Sequence, residues 1–361
     1  MDVSDVSDNA SDASVARLRR MVFKASRTVV LIFGAAYPAA LLVTAVMLRW
    51  IGDRWWFTAV LLYLPRAGFL APLPFIAAGL VGFRMWRLLL VQIASVLLVV
   101  FPLMGFVLPG AGFAKGGAAT VRVLSFNVEG CDGGYKAVYD EIDAHTPDVV
   151  LLQEVGNADD LVRVLREHYP VVQWSGQFIV ASRYPTVAGT APGYLDYNGR
   201  QRSPRFLKES IDTPLGPIVF YNVHPISPRE GLVILKTHGI RAALLGRSHG
   251  PLTENVGLRT LQVQTFLDEA AAETGPVIVA GDTNLPDPSV TLRRYESRFT
   301  DAFRAAGWGF GYTFPTDKKW GPAMRLDRIF TSEKLRATRF EVGRSRASDH
   351  HCVVADITRA P

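Results

Sequence analysis

The stretch VRVLSFNVEG, residues 121–130, reads as a β-strand that ends in an amide and an acid, Asn127 and Glu129. The same form recurs along the chain. DVVLLQE (148–154) is a buried strand ending at Glu154. GPIVFYNV (216–223) runs into NVHP, with Asn222 and His224. PVIVAGDTN (276–284) ends on Asp282 and Asn284. LDR (326–328) carries Asp327 into a strand, and SDHH (348–351) places Asp349 and His350 ahead of the apolar run that follows. A packed sheet gains nothing from this many acids near one edge. A hard cation among them accounts for the set. Mg²⁺ takes oxygen ligands and keeps several waters, so one or two carboxylates and an Asn carbonyl suffice. The histidines then handle protons near neutral pH.

Between these strands lie helical patterns, YKAVYDEIDAH (135–145), ADDLVRVLREHY (158–169) and RTLQVQTFLDEAAAET (259–274), with further strands at QFIVAS (177–182) and RFLKESID (205–212). Strands alternate with helices in two blocks without an internal repeat, which predicts an α/β domain with helices covering sheet faces. Residues 226–257, rich in Gly, Pro, Ser and His, interrupt the pattern and read as a long loop or lid region.

What precedes residue 120 is a different kind of sequence. Residues 1–16 are rich in Asp and Ser and predict a disordered tail. The segment 17–27 adds five positive charges, and 28–48 then runs without a charge for the length of a transmembrane helix. Residues 67–83 and 88–108 are further uncharged runs. WWFTAVLLYLPR (55–66) lies between the first two; its ten apolar residues reach about 15 Å as a helix, which suits an interfacial segment. The reading is three spans. Arg17, Arg19, Arg20, Lys24, Arg27, Arg84 and Arg87 on one side outnumber Arg49, Arg54, Arg66 and Lys115 on the other. The N-terminus is therefore expected in the cytoplasm and everything after residue 109 outside it. The expected organisation is a tail and basic flank (1–27), an all-α transmembrane region (28–109), a Gly/Ala linker (110–120) and a catalytic domain (121–361).

The 361 residues have a mean hydropathy of +0.16 and a net charge of +6. All of that charge belongs to residues 1–119, because the remainder carries Lys+Arg and Asp+Glu in equal number. A neutral domain lacks the electrostatic footprint of a nonspecific nucleic-acid binder, which disfavours a nucleic-acid partner. Cys131 and Cys352 make no disulfide framework; two unpaired thiols are expected, each packed near a motif.

Taken in order, SFNVEG, LLQE, NVHP, GDTN, RLDRIF and SDHH, with GWGFGYTFP (307–315) ahead of the last two, resemble the endonuclease/exonuclease/phosphatase superfamily over roughly residues 120–358. The resemblance implies the deoxyribonuclease I-like fold, a four-layer α/β sandwich. It implies Glu154 as principal metal ligand, with Asp349 metal-associated and Glu129 a second metal acid. Asn127, Asn222 and Asn284 fall among its phosphate-site amides, and Arg205 in NGRQRSPR (198–205) is a candidate to reach a substrate phosphate. His224 matches a catalytic histidine. Asp282 matches the acid that orients or deprotonates the attacking water, and Asp327 the partner of the final histidine, His350. Mg²⁺ or Mn²⁺ is the implied cofactor, and in-line attack of water on a phosphate ester the implied reaction.

Taken singly these residues have plainer readings: Asp282 and Asn284 as a turn cap, Asp327 as a surface ion pair with Arg325 and Arg328. His351 reads as a neighbour of the site, and His145, His168, His238 and His249 as solvated. Fold does not fix substrate. A linker of about ten residues reaches at most about 35 Å, which holds the site near the outer membrane surface. The layout resembles the three-span bacterial members linked to teicoplanin resistance, which implies a lipid-linked pyrophosphate substrate. The expected function is a membrane-anchored, metal-dependent phosphoester hydrolase acting on a membrane-associated phosphate or pyrophosphate. A tethered extracytoplasmic nuclease and a catalytically inactive binding module of the same fold are the alternatives.

Overall fold

A computed structural model describes residues 3–108, 119–190, 192–229, 232–233, 250–319 and 321–361. Most of the 110–120 linker, much of the 226–257 lid region, and His238 and His249 lie outside the described residues. The chain divides into two compact units, Met1–Val46 with Arg66–Met104, and Met47–Pro65 with Gly105–Pro361.

The first unit is helical. Helix α1 (Val3–Trp50) begins well before the uncharged run and takes in the segment read as a tail. No Gly or Pro occurs between residues 3 and 33 to end it. After α2 (Trp56–Leu62), the second apolar run forms a 3₁₀ segment, Arg66–Leu70, and then α3 (Leu73–Gly82). Pro72 and Pro74 break the helical backbone here. The ten residues of α3 reach about 15 Å, half the hydrocarbon core. Helix α4 (Trp86–Leu98) continues as a π-turn to Leu103. Two helices, Ser14–Trp50 and Trp86–Leu103, are long and apolar enough to span a membrane, and the broken pair Trp56–Leu62 and Arg66–Gly82 makes a third if it counts as one. Small residues set the packing: a Cβ on Gly79 would lie 2.9 Å from Val30 Cγ2, and one on Gly34 3.0 Å from Leu80 Cδ2. Gln92 Nε2 donates to the Gly34 carbonyl at 2.8 Å. Leu31, Ile32, Phe33, Leu42, Val43, Phe75, Leu90 and Ile93 are exposed on the outside of this unit, which suits hydrocarbon rather than water.

The second unit carries two six-stranded sheets. In the first, β13 (Leu335–Val342), β14 (Val353–Arg359), β1 (Val121–Asn127), β2 (Val149–Gln153), β4 (Phe178–Ser182) and β3 (Val171–Ser175) lie side by side. The second has the order β11 (Thr300–Asp301), β12 (Asp327–Thr331), β10 (Val277–Asp282), β9 (Gly216–Val223), β8 (Phe206–Thr213) and β5 (Thr186–Thr190). A small hairpin, β6 (Leu195–Tyr197) with β7 (Arg200–Arg202), stands apart from both. At the centre of each sheet is one parallel pair, β1 with β2 and β9 with β10, flanked by antiparallel partners. Helices α5 (Tyr135–His145) and α6 (Asp159–His168) cover the outer face of the first sheet through Val138, Ile142, Leu161 and Leu165. Helix α7 (Gly250–Ala271) covers the second through Val263, Phe266 and Leu267. The unit is therefore the expected four-layer α/β sandwich.

Strand side chains alternate between faces, so every second residue of the central strands enters the layer between the sheets. That layer is apolar where the parallel strands begin, with Val121, Val123, Val149, Leu151, Ile218, Phe220, Ile278 and Ala280. It turns polar where they end, at Ser125 and Asn127, Gln153, Asn222 and Asp282, all buried. Four parallel-strand ends thus deliver their polar residues to one edge of the sandwich.

Candidate active site

A network of buried amides holds that edge. Gln153 Nε2 donates to Ser125 Oγ at 3.2 Å and to Asn222 Oδ1 at 2.7 Å. Asn222 Nδ2 donates to the carbonyls of Leu152 and Ile179 at 2.9 and 3.2 Å. Asn222, expected near the phosphate, thus spends both ends of its amide tying strand ends together, and it does not line the cavity.

Asn127 is the hub. Its Nδ2 donates to Glu154 Oε1 and to Asp282 Oδ2, each at 3.1 Å, and its Oδ1 accepts from the Glu129 N–H at 3.1 Å. Glu129, Glu154 and Asn284 have φ of +47°, +53° and +50°. Left-handed backbone at a residue with a Cβ costs about 1–2 kcal/mol, so this edge carries local strain. The Gly130 N–H donating to the Glu154 carbonyl at 2.7 Å helps to hold it.

His224 continues β9, its N–H donating to the Arg205 carbonyl at 2.9 Å. Its Nδ1 lies 2.6 Å from Gln177 Oε1, which leaves Nε2 facing Glu154 Oε1 at 3.2 Å and Asp282 Oδ2 at 3.6 Å. The buried Nε2 points between the two acids without a well-directed bond to either. The imidazole, against the opposing effect of burial, holds the Glu154 carboxyl down to about 2. Burial pushes the Asp282 carboxyl up; the nearby His350 and His224 rings and the Asn284 N–H, which donates at 2.8 Å, oppose that.

His350 completes the floor. Its Nδ1 lies 2.7 Å from Asp327 Oδ2, and its Nε2 lies 3.7 Å from Asp282 Oδ2 and 3.8 Å from Asp349 Oδ1. Burial disfavours the charged ring, but Asp327 and Asp282 outweigh it and raise the imidazole to about 10. Arg325 and Arg328 do not compete for Asp327. Both are buried and pair with Asp287, at 3.1 and 3.0 Å, and with Asp301, at 3.0 Å each. The surface ion pair is replaced by a buried box of four charges beside the site.

SDHH forms a bend ahead of β14, which starts at Val353. Ser348 Oγ donates to the Asn127 carbonyl at 2.7 Å and accepts the His350 N–H at 3.1 Å, which turns the chain. The Asp349 N–H donates to Glu129 Oε2 at 2.9 Å. Because of the bend, Asp349 and His350 both face the cavity instead of alternating.

Glu129, Glu154, Asp282 and Asp349 line one cavity of about 450 Å³, together with Asn284 and His350. Burial, then Asp349 and Asp132, push the Glu129 carboxyl up, while the Asp349 N–H and the His350 ring oppose the rise. A divalent cation relieves such crowding, and an all-oxygen donor set suits a hard one. Ligand atoms of Glu154, His224 and Asp282, and of Asp282, Asp327 and His350, also lie within 4.8 Å of one another. Arg229 Nη2 lies 3.3 Å from Asp349 Oδ2 at the mouth. Arg205 is not brought to this cavity. It lines a neighbouring one with Tyr194 and Phe206, and its Nη1 donates to Gln177 Oε1 at 3.4 Å.

Residues that sequence reasoning passed over are Gln177, which orients His224 from the tip of the β3–β4 hairpin, Phe314, whose ring centroid lies 4.7 Å from that of His350, and Tyr63 on the cavity wall. His145, expected to be solvated, is half-buried between Glu341 and Glu141, at 2.6 and 3.4 Å. Cys352 Sγ, 3.3 Å from the same Glu141, brings a second titratable cluster there, and each member has a hydrogen-bond partner. His168 packs on Tyr139, and His351 Nδ1 lies 3.1 Å from the Ser345 carbonyl, away from the cavity. Both cysteines are free thiols.

The model of the Endonuclease/Exonuclease/phosphatase family matches residues 124–350. Among solved structures, an endonuclease/exonuclease/phosphatase from Beutenbergia cavernae is 20% identical, with a TM-score of 0.51 over 67% of this chain and 72% of that one. Truncated TDP2 of Caenorhabditis elegans is 22% identical, with a TM-score of 0.49 over 66% and 98%. An endonuclease/exonuclease/phosphatase from Bacteroides vulgatus is 17% identical, with a TM-score of 0.49 over 67% and 100%. No match was found among curated proteins.

Proposed function

Because the chain belongs to the Endonuclease/Exonuclease/phosphatase family of metal-dependent phosphoester hydrolases, we propose that it hydrolyses a membrane-held phosphate or pyrophosphate ester, lipid-linked, on the extracytoplasmic side. The observation that carries this reading is the two-sided cavity. Its floor is acidic and imidazole-bearing, while Pro228, Leu232, Val233, Met324 and Leu326 supply an apolar wall. A charged ester attached to an apolar chain matches both sides. The apolar N-terminal helices suit a substrate held in the membrane, and with three spans the distribution of Lys and Arg favours the catalytic unit outside. This reading of the layout resembles the three-span members linked to teicoplanin resistance.

In this reading Glu154, with Asp349 and Glu129, holds Mg²⁺ or Mn²⁺. The ion, when bound, neutralises charge on the phosphate oxygens. Asp282 orients the attacking water and receives its proton. Burial raises this carboxyl, which makes it a better base than an exposed aspartate. Asn284, which lines the cavity, contributes its amide to the phosphate site, while Asn127, expected there too, has its amide committed to Glu154, Asp282 and the Glu129 N–H and holds those acids in place. His350, kept protonated by Asp327, supplies a fixed positive charge where negative charge builds up. His224, aligned by Gln177, presents Nε2 to the same centre.

A substrate panel tests the proposal. Full-length protein in detergent, with Mg²⁺ or Mn²⁺, is given lipid pyrophosphates, phosphodiester lipids and DNA. Turnover of a lipid phosphate, abolished by chelation, is expected. Efficient cleavage of DNA alone would make the protein a tethered nuclease. Absence of turnover on every arm would favour a binding module.

A further inference from the structure

The segment Met47–Pro65 lies in sequence between the first two apolar runs, yet it belongs to the catalytic unit. Its anchor is Asp53, 2% exposed. That carboxylate accepts from Ser289 Oγ at 3.2 Å, from the N–H groups of Val290 and Thr291 at 3.1 and 3.3 Å, and from Thr291 Oγ1. The fit is close. Gly52 has φ +52°, and a Cβ there would lie 2.7 Å from Val290 Cγ2. Ala59, buried on α2, packs against Leu252 of α7. At the end of the segment, Tyr63 Oη donates to the Asn284 carbonyl at 2.9 Å and accepts from Arg259 Nη1 at 2.8 Å. Arg259 is buried, and its other bonds go to Asn255 Oδ1 at 3.1 Å and to the Asn284 carbonyl at 3.4 Å. The Tyr63 ring lines the same cavity as Glu154, Asp282 and His350.

Asp53 therefore ties down 289–291 and Tyr63 ties down 284. These two points bracket the turn that leaves β10 just after Asp282. Asn284 sits there with left-handed backbone, a conformation that holds only while its surroundings enforce it. We infer that Met47–Pro65 is a working part of the active site: Tyr63, backed by Arg259, is the positioning residue for Asn284, and it joins Leu232, Met324 and Leu326 in the apolar wall that meets the apolar part of the substrate. Among the described residues, Tyr63 is the one member of the cavity lining that comes from outside 121–361, so this lining is complete only when a stretch lying between two membrane-grade segments is docked. The inference rests on the proposed phosphate role of Asn284.

The test uses full-length protein in detergent with two readouts, turnover and hydrogen–deuterium exchange of the 283–291 amides. Tyr63→Phe keeps the ring and removes both hydroxyl bonds. A loss of about tenfold in kcat with little change in KM is expected, the worth of a hydrogen bond near 1.4 kcal/mol. Asp53→Ala, which leaves the cavity lining intact, should show the same kcat loss and faster exchange across 283–291. Tyr63→Ala should raise KM for a lipid-linked substrate and leave KM for a short water-soluble phosphoester within about twofold, because only the former needs the wall. Unchanged exchange in both Tyr63→Phe and Asp53→Ala, or wild-type kcat in Tyr63→Phe, would overturn the inference. If wild-type protein turns over no phosphoester, the functional proposal fails by itself, while the exchange measurement still decides whether the segment holds the turn.

Discussion

Glu209 lies on the inner face of β8 between Leu207 and Ile211, fully buried, with no hydrogen-bond partner for either carboxylate oxygen among the described residues. Room for it is made by Gly189 on β5, where a Cβ would come within 2.1 Å of Glu209 Oε1. Burial raises this carboxyl from 4.5 to about 7. The folded state therefore holds a proton that the unfolded chain releases. The stabilising contribution is whole below pH 4.5 and is lost as pH rises through about 7. At about 1.4 kcal/mol per pH unit, the total is about 3 kcal/mol, most of which falls between pH 5 and pH 8. Glu209→Gln removes the titration and nearly preserves the shape. Thermal unfolding of both proteins in detergent at pH 5 and pH 8 gives the comparison, and other titrating groups cancel in it. Wild type should lose about 5–10 °C more than the variant between the two pH values, at about 2–4 °C per kcal/mol for a domain this size. Parallel pH profiles for the two proteins would mean that Glu209 stays ionised with a partner, and the argument from its isolation would be wrong.

Four further expectations concern the site and the side of the membrane it occupies. Glu154→Gln should lose metal-dependent turnover while the protein stays folded, and its melting temperature without metal should fall at neutral pH, since the His224 imidazole holds the carboxyl down to about 2 and so stabilises its ionised form in the fold; wild-type turnover with Mg²⁺ would remove Glu154 from the metal set. His350→Ala and Asp327→Ala should each be impaired by 10²-fold or more, about 3 kcal/mol in the barrier, with the double variant little worse than His350→Ala because the two act as one unit. His351→Ala should keep most of its activity, and kinetics in which it is the most damaged of the three would reverse the assignment of the two rings. A reporter active only in the cytoplasm, fused after Pro361, should be silent; a strong signal would place the catalytic unit at the inner leaflet.

Much of the sandwich is legible in the sequence because its physics is local. The strand at 121–127 and its polar end are written in seven consecutive residues, and the repetition of that form at Glu154, Asp282 and Asp327 tells the rest. What escapes is set by contacts distant in sequence or by backbone conformation. The left-handed φ at Glu129 and Glu154 has no residue-type signature, since glutamate rarely adopts it. Asn222 looks like a site residue because it stands beside His224, and only the positions of Leu152 and Ile179 reveal that its amide is committed elsewhere. Arg325 and Arg328 flank Asp327 in sequence, and their true partners, Asp287 and Asp301, are 24 to 41 residues away. Gln177 sits in a hairpin tip, SGQF, where a polar residue ordinarily needs no explanation. Tyr63 carries no signal at all, for it lies in an apolar stretch that hydropathy assigns to the membrane.

The bond from Ser289 to Asp53 spans 236 residues, and this separation has a consequence for how the chain is made. At about 5–20 residues per second, about ten to fifty seconds pass between synthesis of Asp53 and synthesis of the residues that receive it. Through that interval Ala59, buried in the finished protein, waits for Leu252, which is not yet made. The entropy of closing so long a loop grows only with the logarithm of its length, so the delay and not the thermodynamics makes this contact late. Docking of the segment is then among the last events of maturation, and the ribosome has passed residue 291 before the site that this segment completes can form.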